Sequence, residues 1–321
     1  MDQIIDRLRT VRHVLVASHE NPDGDAIGSL IAMGLTLEAM GRQVTYFNPS
    51  NIPTVYRFLP SVRRVSSQIP DNERYDAAIV VDCGSLDRLR GAGERISRLP
   101  AVINIDHHAT NTGFGTHRFV DTEACASAEI VYRLICKLGV PIDQPIASAI
   151  YTGILTDTGS FRFSNTNAAS FSICLEMVAK GVEPSMVANH VYGTYSMGRI
   201  KLLNLALDTI EISRSGKVSV MSVTQEMFSE TGTQAEEATG FINYAKSIED
   251  VRVAVLIQEE PDRSGPDKRF YHISLRSDGS VDVAAIAASF GGGGHRGAAG
   301  FGFSGWLPEI KSRIFQIMEI A

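Results

Sequence analysis

Several short stretches of this 321-residue sequence place aspartate and histidine where they could act together. The first is His19-Glu20-Asn21-Pro22-Asp23-Gly24-Asp25. Asn-Pro-Asp-Gly is strong turn chemistry in its own right, so this stretch alone has an ordinary explanation. The second signal is Asp82, directly after the apolar run Ala77 to Val81 (AAIVV). The third is Asp106-His107-His108, at the end of Val102 to Ile105 (VINI). The fourth is Asp157, in the loop-like Gly153-Ile154-Leu155-Thr156-Asp157-Thr158-Gly159. One carboxylate at a strand end is unremarkable, but several gathered on one sheet edge repel each other unless cations neutralise them. Mixed Asp and His donors suit Mn²⁺, Fe²⁺, Co²⁺ or Mg²⁺ better than a thiolate-preferring ion. The set is large enough for two ions sharing a bridging carboxylate. Two ions about 3.5–4 Å apart make a phosphoryl-transfer site, which activates water and neutralises charge on the phosphoryl oxygens. No nucleophilic Ser or Cys is then needed. Asp121, Asp143, Asp208 and Asp250 carry no comparable signature and read as solvated faces or caps.

The elements that would position these residues alternate along the first half of the chain. Val14 to Ala17 is a short apolar run of the buried-strand type. An apolar helical stretch from Ile27 to Met40 follows, with Gly41 placed as its C-terminal cap. Val44 to Phe47, the AAIVV run and the VINI run read as further strands. Ala124 to Leu138, Gln144 to Thr156 and Ala168 to Lys180 read as helices. This alternation implies a doubly wound, mainly parallel α/β sheet. Ligands bind beyond the carboxyl ends of the strands in such sheets, which is where the acidic residues fall. Val187 to Asp208 is helical and reads as a connector. After it the pattern changes: strands at Lys217 to Val223, Val251 to Gln258 and Phe270 to Arg276, and a helix at Gln234 to Ser247. A short helix at Asp282 to Ser289, a glycine run, a strand at Phe301 to Phe303 and a helix from Leu307 close the chain. This is a second, smaller α/β domain with a mixed sheet.

Composition narrows the function classes. Hydrophobic residues make up 44% and charged residues 21%, as in an ordinary globular protein. The net charge of -6 argues against a long duplex nucleic-acid groove, which needs a broad basic face. A short oligonucleotide held by a few arginines and metal ions remains compatible. No apolar run is long enough to span a membrane, and Met1 to Thr10 lacks the apolar core of a secretory signal, so a cytoplasmic location is expected. Cys83, Cys125, Cys136 and Cys174 form no Cys-x-x-Cys pair and read as reduced, packed residues. Glu259 to Lys268 (EEPDRSGPDK) reads as a surface hairpin loop.

At these residues the sequence resembles the DHH phosphoesterase superfamily, named for its Asp-His-His motif, over nearly the whole chain. His19-x-x-x-Asp23-x-Asp25, Asp82, Asp106-His107-His108 and Asp157 match its four motifs in order and spacing. The resemblance implies that His19, Asp23 and Asp82 hold one cation. Asp25, Asp82, His107 and Asp157 would hold the other, with Asp82 bridging. Catalysis would rest on Asp82, on His108 facing the scissile phosphate, and on Asp106 orienting the histidines. Gly291 to Gly300 (GGGGHRGAAG) resembles the glycine-rich signature of the DHH-associated C-terminal domain. There Gly293 and Gly294 would let backbone N–H groups approach an anion, and His295 and Arg296 would add charged donors. Arg276 and Ser277, at a strand end, are further candidate phosphate contacts. The implied organisation is a metal-binding domain at 1–186, a helical connector at 187–208 and a substrate-binding domain at 209–321, the two domains facing across a cleft. Length and C-terminal motif resemble the stand-alone oligoribonuclease and 3′-phosphoadenosine-5′-phosphate (pAp) phosphatase group, the nanoRNases. That implies two cations, Mn²⁺ foremost, and hydrolysis of pAp, pApA and oligoribonucleotides from two to about five nucleotides. Alternatives are a cyclic di-AMP phosphodiesterase, an exopolyphosphatase or pyrophosphatase on the same metal site, and an inactive nucleotide-binding regulator. A homodimer is compatible with this reading.

Overall fold

The computed structural model describes residues 1–193, 195–261 and 268–320. The Glu259–Lys268 loop expected from the sequence lies largely outside the described residues. The chain divides into two compact units, Met1–Thr194 and Tyr195–Ala321.

In the first unit, α1 (Asp2–Thr10) leads into β1 (His13–Ala17), α2 (Gly24–Ala39) and β2 (Gln43–Phe47). Then come β3 (Ala77–Val81), α3 (Ala92–Ser97), β4 (Val102–Asp106) and β5 (His117–Val120). The helices α4 (Ser127–Leu138), α5 (Gln144–Asp157), α6 (Ala168–Ala179) and α7 (Pro184–Ala188) complete it. The sheet has the order β2-β1-β3-β4-β5, and every pairing is parallel. Every residue of β3 and β4 is buried, because helices cover one sheet face and the Leu89–Ile96 region covers the other. The strand β5 has no counterpart in the sequence reading. Its alternating half-exposed pattern on the sheet edge gives HRFV no apolar run to detect.

Local chemistry sets the helix ends. Asp23 caps α2 by accepting from the Ala26 N–H at 2.9 Å, and Asp143 caps α5 through Ile146. Asn167 and Ser170 form a capping box on α6. The helix expected from Ala124 starts only at Ser127, because Ala126 is extended (φ -165°, ψ 157°). The helix α2 is apolar nearly all round and buried nearly all round. It packs so tightly on α5 that a Cβ at Gly28 would lie 2.4 Å from the Ala149 carbonyl oxygen, and one at Gly153 2.9 Å from Asp25 Oδ1. Glycine at 28 and 153 is therefore what lets the Asp25 end of α2 meet α5.

The second unit opens on α8 (Met197–Asp208) and continues with β6 (Glu211–Ile212), β7 (Val218–Val223), α9 (Gln225–Thr231), α10 (Ile242–Lys246) and β8 (Val253–Glu260). It ends with β9 (Arg269–Ser277), α11 (Val283–Ala288), β10 (Gly293–His295), β11 (Ala298–Gly305) and α12 (Leu307–Ile320). Its six-stranded sheet has the order β10-β11-β9-β8-β7-β6. Only β7 and β8 pair in parallel, so the sheet is mixed. The helix expected at Gln234–Ser247 is instead a 3₁₀ turn at Ala235–Ala238 followed by α10, broken where Gly240 turns to φ 87°. The glycine run is partly a strand, paired as Gly293↔Gly300, Gly294↔Ala299 and His295↔Ala298.

Candidate metal centre

The carboxyl ends of three neighbouring parallel strands converge. Beyond β1 stands His19, beyond β3 Asp82, and β4 ends in Asp106 followed by His107 and His108. The first turn of α2 adds Asp25 and its cap adds Asp23. The sequence reading placed Asp157 in a loop; the structure makes it the last residue of α5. His19, Asp25, Asp82, Asp106 and His107 are all at most 4% exposed. Asp82 leaves its strand with φ 51°, a left-handed conformation uncommon for a residue with a side chain. Such strain persists where the surroundings fix it, and the Asp82 N–H donates to the Ile105 carbonyl at 2.9 Å.

Among the groups of donor atoms that result, beside Asp82 with Asp106 and His108, two overlap: His19, Asp23 and Asp82, and Asp25, Asp82 and His107. Asp82 is common to both. Its Oδ2 lies 3.5 Å from His19 Nε2 and its Oδ1 3.7 Å from His107 Nε2. His107 Nε2 is also 3.8 Å from Asp25 Oδ2 and 3.7 Å from Asp157 Oδ2. These even separations are too long for hydrogen bonds. Donors sharing one ion at bond lengths of about 2.0–2.2 Å stand roughly 3.3–3.6 Å apart in tetrahedral geometry, so the spacing fits a shared cation. The other ring nitrogens are turned outward onto backbone carbonyls. His107 Nδ1 lies 3.2 Å from the Ala124 oxygen, and His19 Nδ1 lies 2.7 Å from the Glu20 oxygen and 2.9 Å from Arg88 Nη2. At His107 a ring N–H donated there leaves the Nε2 lone pair facing the carboxylates, the usual arrangement of a ligating histidine, whereas His19 Nδ1 is shared between a carbonyl acceptor and the Arg88 donor. His108 differs: its Nδ1 is 2.7 Å from Asp106 Oδ1.

The electrostatics are those of a site short of positive charge. Among the described residues, no Lys or Arg pairs with Asp23, Asp25, Asp82, Asp106 or Asp157. Burial, with Asp82 and Asp157 nearby, pushes the Asp25 carboxyl well above the usual carboxylate range. Burial also raises Asp157 to about 6, against the pull of His107. Burial works against the charged form of His107, but Asp157, Asp82 and Asp25 outweigh it and push that imidazole up to about 10. Asp82 is held well below the carboxylate range: burial opposes its charge, and His19, His108 and His107 overcome it. A divalent cation would replace the protons that this cluster otherwise borrows.

Several supporting residues escaped the sequence reading. Ser127 donates its backbone N–H to Asp25 Oδ2 at 2.6 Å and its hydroxyl to Asp82 Oδ1 at 2.9 Å. Asn165 donates to Asp157 Oδ2 at 3.0 Å. Asn111 donates to Asp106 Oδ2 at 2.5 Å and to Asn104 Oδ1 at 2.9 Å. A signal for the last network was present, since Asn104 is a polar residue inside the apolar run VINI.

In the second unit, the pairings His295↔Ala298 and Ala298↔Arg276 put His295 and Arg276 in one row and on one face, with only the Ala298 methyl between them. Strand alternation adds Phe270, His272 and Ser274 to that face, while Tyr271, Ile273 and Leu275 are buried behind it. The facing β11 positions are Gly300 and Gly302, where an added Cβ would come within 3.2 Å of His272 Nε2 and 2.4 Å of the Phe270 ring. The sequence reading missed His272 and Ser274; the period-2 pattern of RFYHISLRS was their signal. Gly294, at φ 144°, leaves no room for a Cβ, which would sit 2.4 Å from the Ala298 carbonyl oxygen. Close strand packing thus requires this glycine, whatever it does for a ligand. Ser277 is 3% exposed and its hydroxyl donates to the Val281 carbonyl at 2.7 Å. It holds the turn that follows β9, and Arg296 reaches the same turn through the Gly279 carbonyl at 3.1 Å.

Residues 13–154 match the DHH family, N-terminal domain, and residues 215–319 match the DHHA1 domain. The bifunctional oligoribonuclease and PAP phosphatase NrnA of Thermus thermophilus is 31% identical over 98% of this chain and 94% of its own length. The chain belongs to the DHH family. It is therefore a metal-dependent phosphoesterase. The Bacillus subtilis protein of the same name is 27% identical over 95% of this chain and 93% of its own. The crystal structure of an exopolyphosphatase-related protein from Bacteroides fragilis superposes with a TM-score of 0.88 at 27% identity, covering 99% of this chain and 95% of that one. Among the described residues, no helix of this DHH protein is long and apolar enough to cross a membrane.

Proposed function

We propose that this DHH phosphoesterase hydrolyses very short nucleotides: pAp, pApA and oligoribonucleotides of two to about five residues. The observation that carries the reading is the shared Asp82, with one carboxylate oxygen turned to His19 and the other to His107. His19, Asp23 and Asp82 would hold one divalent cation, and Asp25, Asp82, His107 and Asp157 the other. The oxygen and imidazole donors favour Mn²⁺, with Mg²⁺, Co²⁺ or Fe²⁺ as substitutes. Bound there, such ions supply an activated water and neutralise charge on the phosphoryl oxygens. The chain's own residues do the rest. His107 is held by the Ala124 carbonyl, and His19 by the Glu20 carbonyl and the Arg88 guanidinium, so that Nε2 of each faces inward. The Asp106 carboxylate, steadied by Asn111, holds His108 by Nδ1 and overcomes the burial that would discharge it, so its pKa is raised. The Nε2 of a protonated His108 is then a donor suited to a phosphoryl oxygen. Arg276, His295 and Arg296 would bind substrate phosphate, with Ser277 holding the turn beside them.

The relatives named as oligoribonuclease and PAP phosphatase support the nucleotide reading. The exopolyphosphatase-related neighbour favours a second reading, in which polyphosphate is the substrate. A panel of pApA, pAp, cyclic di-AMP, RNA of increasing length, single-stranded DNA and polyphosphate, assayed with and without Mn²⁺, separates them. The nucleotide reading expects kcat/KM to be highest for pAp or the shortest RNAs. A rate on polyphosphate above that on pApA would favour the second reading. Cleavage that holds steady or rises with RNA length would remove the short-substrate claim.

A further inference from the structure

We infer that Ser127 is a positioning residue that sets the cation affinity of the His107 half of the centre far more than that of the His19 half. The inference rests on the reading of Asp25, Asp82, His107 and Asp157 as cation ligands. Ser127 is fully buried at the first position of α4. Its N–H and that of Ala128 hold the two oxygens of Asp25, at 2.6 and 2.9 Å. Two backbone donors at a helix N-terminus favour an ionised carboxylate. The Ser127 hydroxyl meanwhile donates to Asp82 Oδ1 at 2.9 Å. One residue therefore fixes Asp25 and Asp82 relative to each other.

The two Asp82 oxygens are not equivalent. Oδ1, which takes the Ser127 proton, is the oxygen 3.7 Å from His107 Nε2, while Oδ2 faces His19. The last torsion of an aspartate is soft, so a hydroxyl on one oxygen decides how the carboxylate stands. Oδ1 also stands 3.7 Å from His108 Nδ1, and Asp82 belongs with Asp25 and His107 to one group of donor atoms. The remaining members of the His19 group are fixed by other partners, Asp23 by the Ala26 N–H and His19 by the Glu20 carbonyl and the Arg88 guanidinium. The carboxylate turns as a unit, so loss of the hydroxyl reaches both sides, but it acts most on the His107 side, where Oδ1 itself loses its partner.

Ser127→Ala removes the hydroxyl and keeps the backbone N–H on Asp25. Mn²⁺ calorimetry on the full chain reads each site alone in two backgrounds, Asp23→Asn to leave the His107 site and Asp157→Asn to leave the His19 site. Added to Asp23→Asn, Ser127→Ala should lower Mn²⁺ affinity about 10- to 100-fold, the usual cost of losing a ligand's hydrogen-bond partner. Added to Asp157→Asn, it should change affinity by less than about threefold, since the bond it removes is not on that side. Ser127→Thr, which keeps the hydroxyl, should restore the Asp23→Asn value. In the otherwise wild-type chain, electron paramagnetic resonance at sub-saturating Mn²⁺ should change from an exchange-coupled pair to an isolated ion on Ser127→Ala. Equal weakening in both backgrounds, or weakening confined to Asp157→Asn, would overturn the assignment. A wild-type chain that binds no Mn²⁺ would overturn the cation reading beneath it, a result distinct from an unsplit effect.

Discussion

The two units assemble their polar residues by opposite means. In the first, charge is packed into the interior: Asp25, Asp82 and Asp106 are at most 1% exposed, and no Lys or Arg answers them among the described residues. In the second, space is left by small residues: Gly300 and Gly302 bare one strand so that His272 and Phe270 can stand over it. The first arrangement is unsatisfied until something positive arrives. The second is already satisfied as a sheet and offers a surface. The first kind of region should therefore respond steeply to changes in charge, and the second to changes in volume.

The steepest test is Asp82→Ala. It removes a donor from both groups and should cut kcat on the order of 10³-fold, the upper end for a single charge-stabilising group, while circular dichroism stays native. Wild-type turnover at saturating Mn²⁺ would break the picture of a charge-starved centre. The neighbouring histidines should then divide. His107→Ala should weaken Mn²⁺ binding about 10- to 100-fold. His108→Ala should keep the metal and lose rate by about 10²-fold, as for loss of a proton-donating group. Equal metal loss in the two variants would erase the distinction drawn from their Nδ1 partners.

Protons should compete with cations in the first unit. His107, raised to about 10 without metal, must give up its proton to ligate. Mn²⁺ affinity should therefore climb with pH from 6 to 10, by up to about tenfold per unit with one proton released. Asp157, raised to about 6, takes up a further proton below that value and steepens the dependence there. Calorimetry in buffers of different ionisation heat counts the protons; a flat profile from pH 6 to 9 would show that the carboxylates do not hold a proton on His107. In the second unit, Arg276→Ala should raise KM for pApA about tenfold, with kcat and Mn²⁺ affinity nearly unchanged. The smallest effect on chemistry belongs to Gly294→Ala, which overfills the β10–β11 contact. It should cost about 1–3 kcal/mol of stability, read as a lower Tm, and leave Mn²⁺ affinity as it was.

The same contrast explains what was legible in the sequence. Asp82, Asp106 and the histidines stand at the ends of apolar runs such as AAIVV, and a buried charge after a buried strand is conspicuous in one dimension. Gly41 ends α2 as expected, at φ 76°. Asn165 and Ser127 were not legible, because their role depends on contacts such as Ser127 to Asp25 and Asp82, made between distant parts of the chain. The strand β5 was hidden by its edge position, and α9 by its mixed polar sequence QEMFSET, although Thr224 and Gly232 cap it at either end. In the glycine run the residues were visible but their reason was not. Glycine suits an anion and suits a tight strand pair, and only the 2.4 Å approach to the Ala298 carbonyl shows the second demand.

The first unit draws its acidic cluster from β1, α2, β3, β4 and α5, so nearly the whole unit must be in place before the donors meet. Contacts between segments so far apart in sequence form late and slowly. Like charges then oppose the last step of closure, and only a completed cluster binds cations well. Divalent ions bound at this cluster would thus act as folding ligands: taken up by the native form alone, they would raise its thermal midpoint with concentration. A chelator, conversely, weakens the whole first unit and not merely its chemistry, and a cell short of these ions would hold less of the folded enzyme as well as less of the active one.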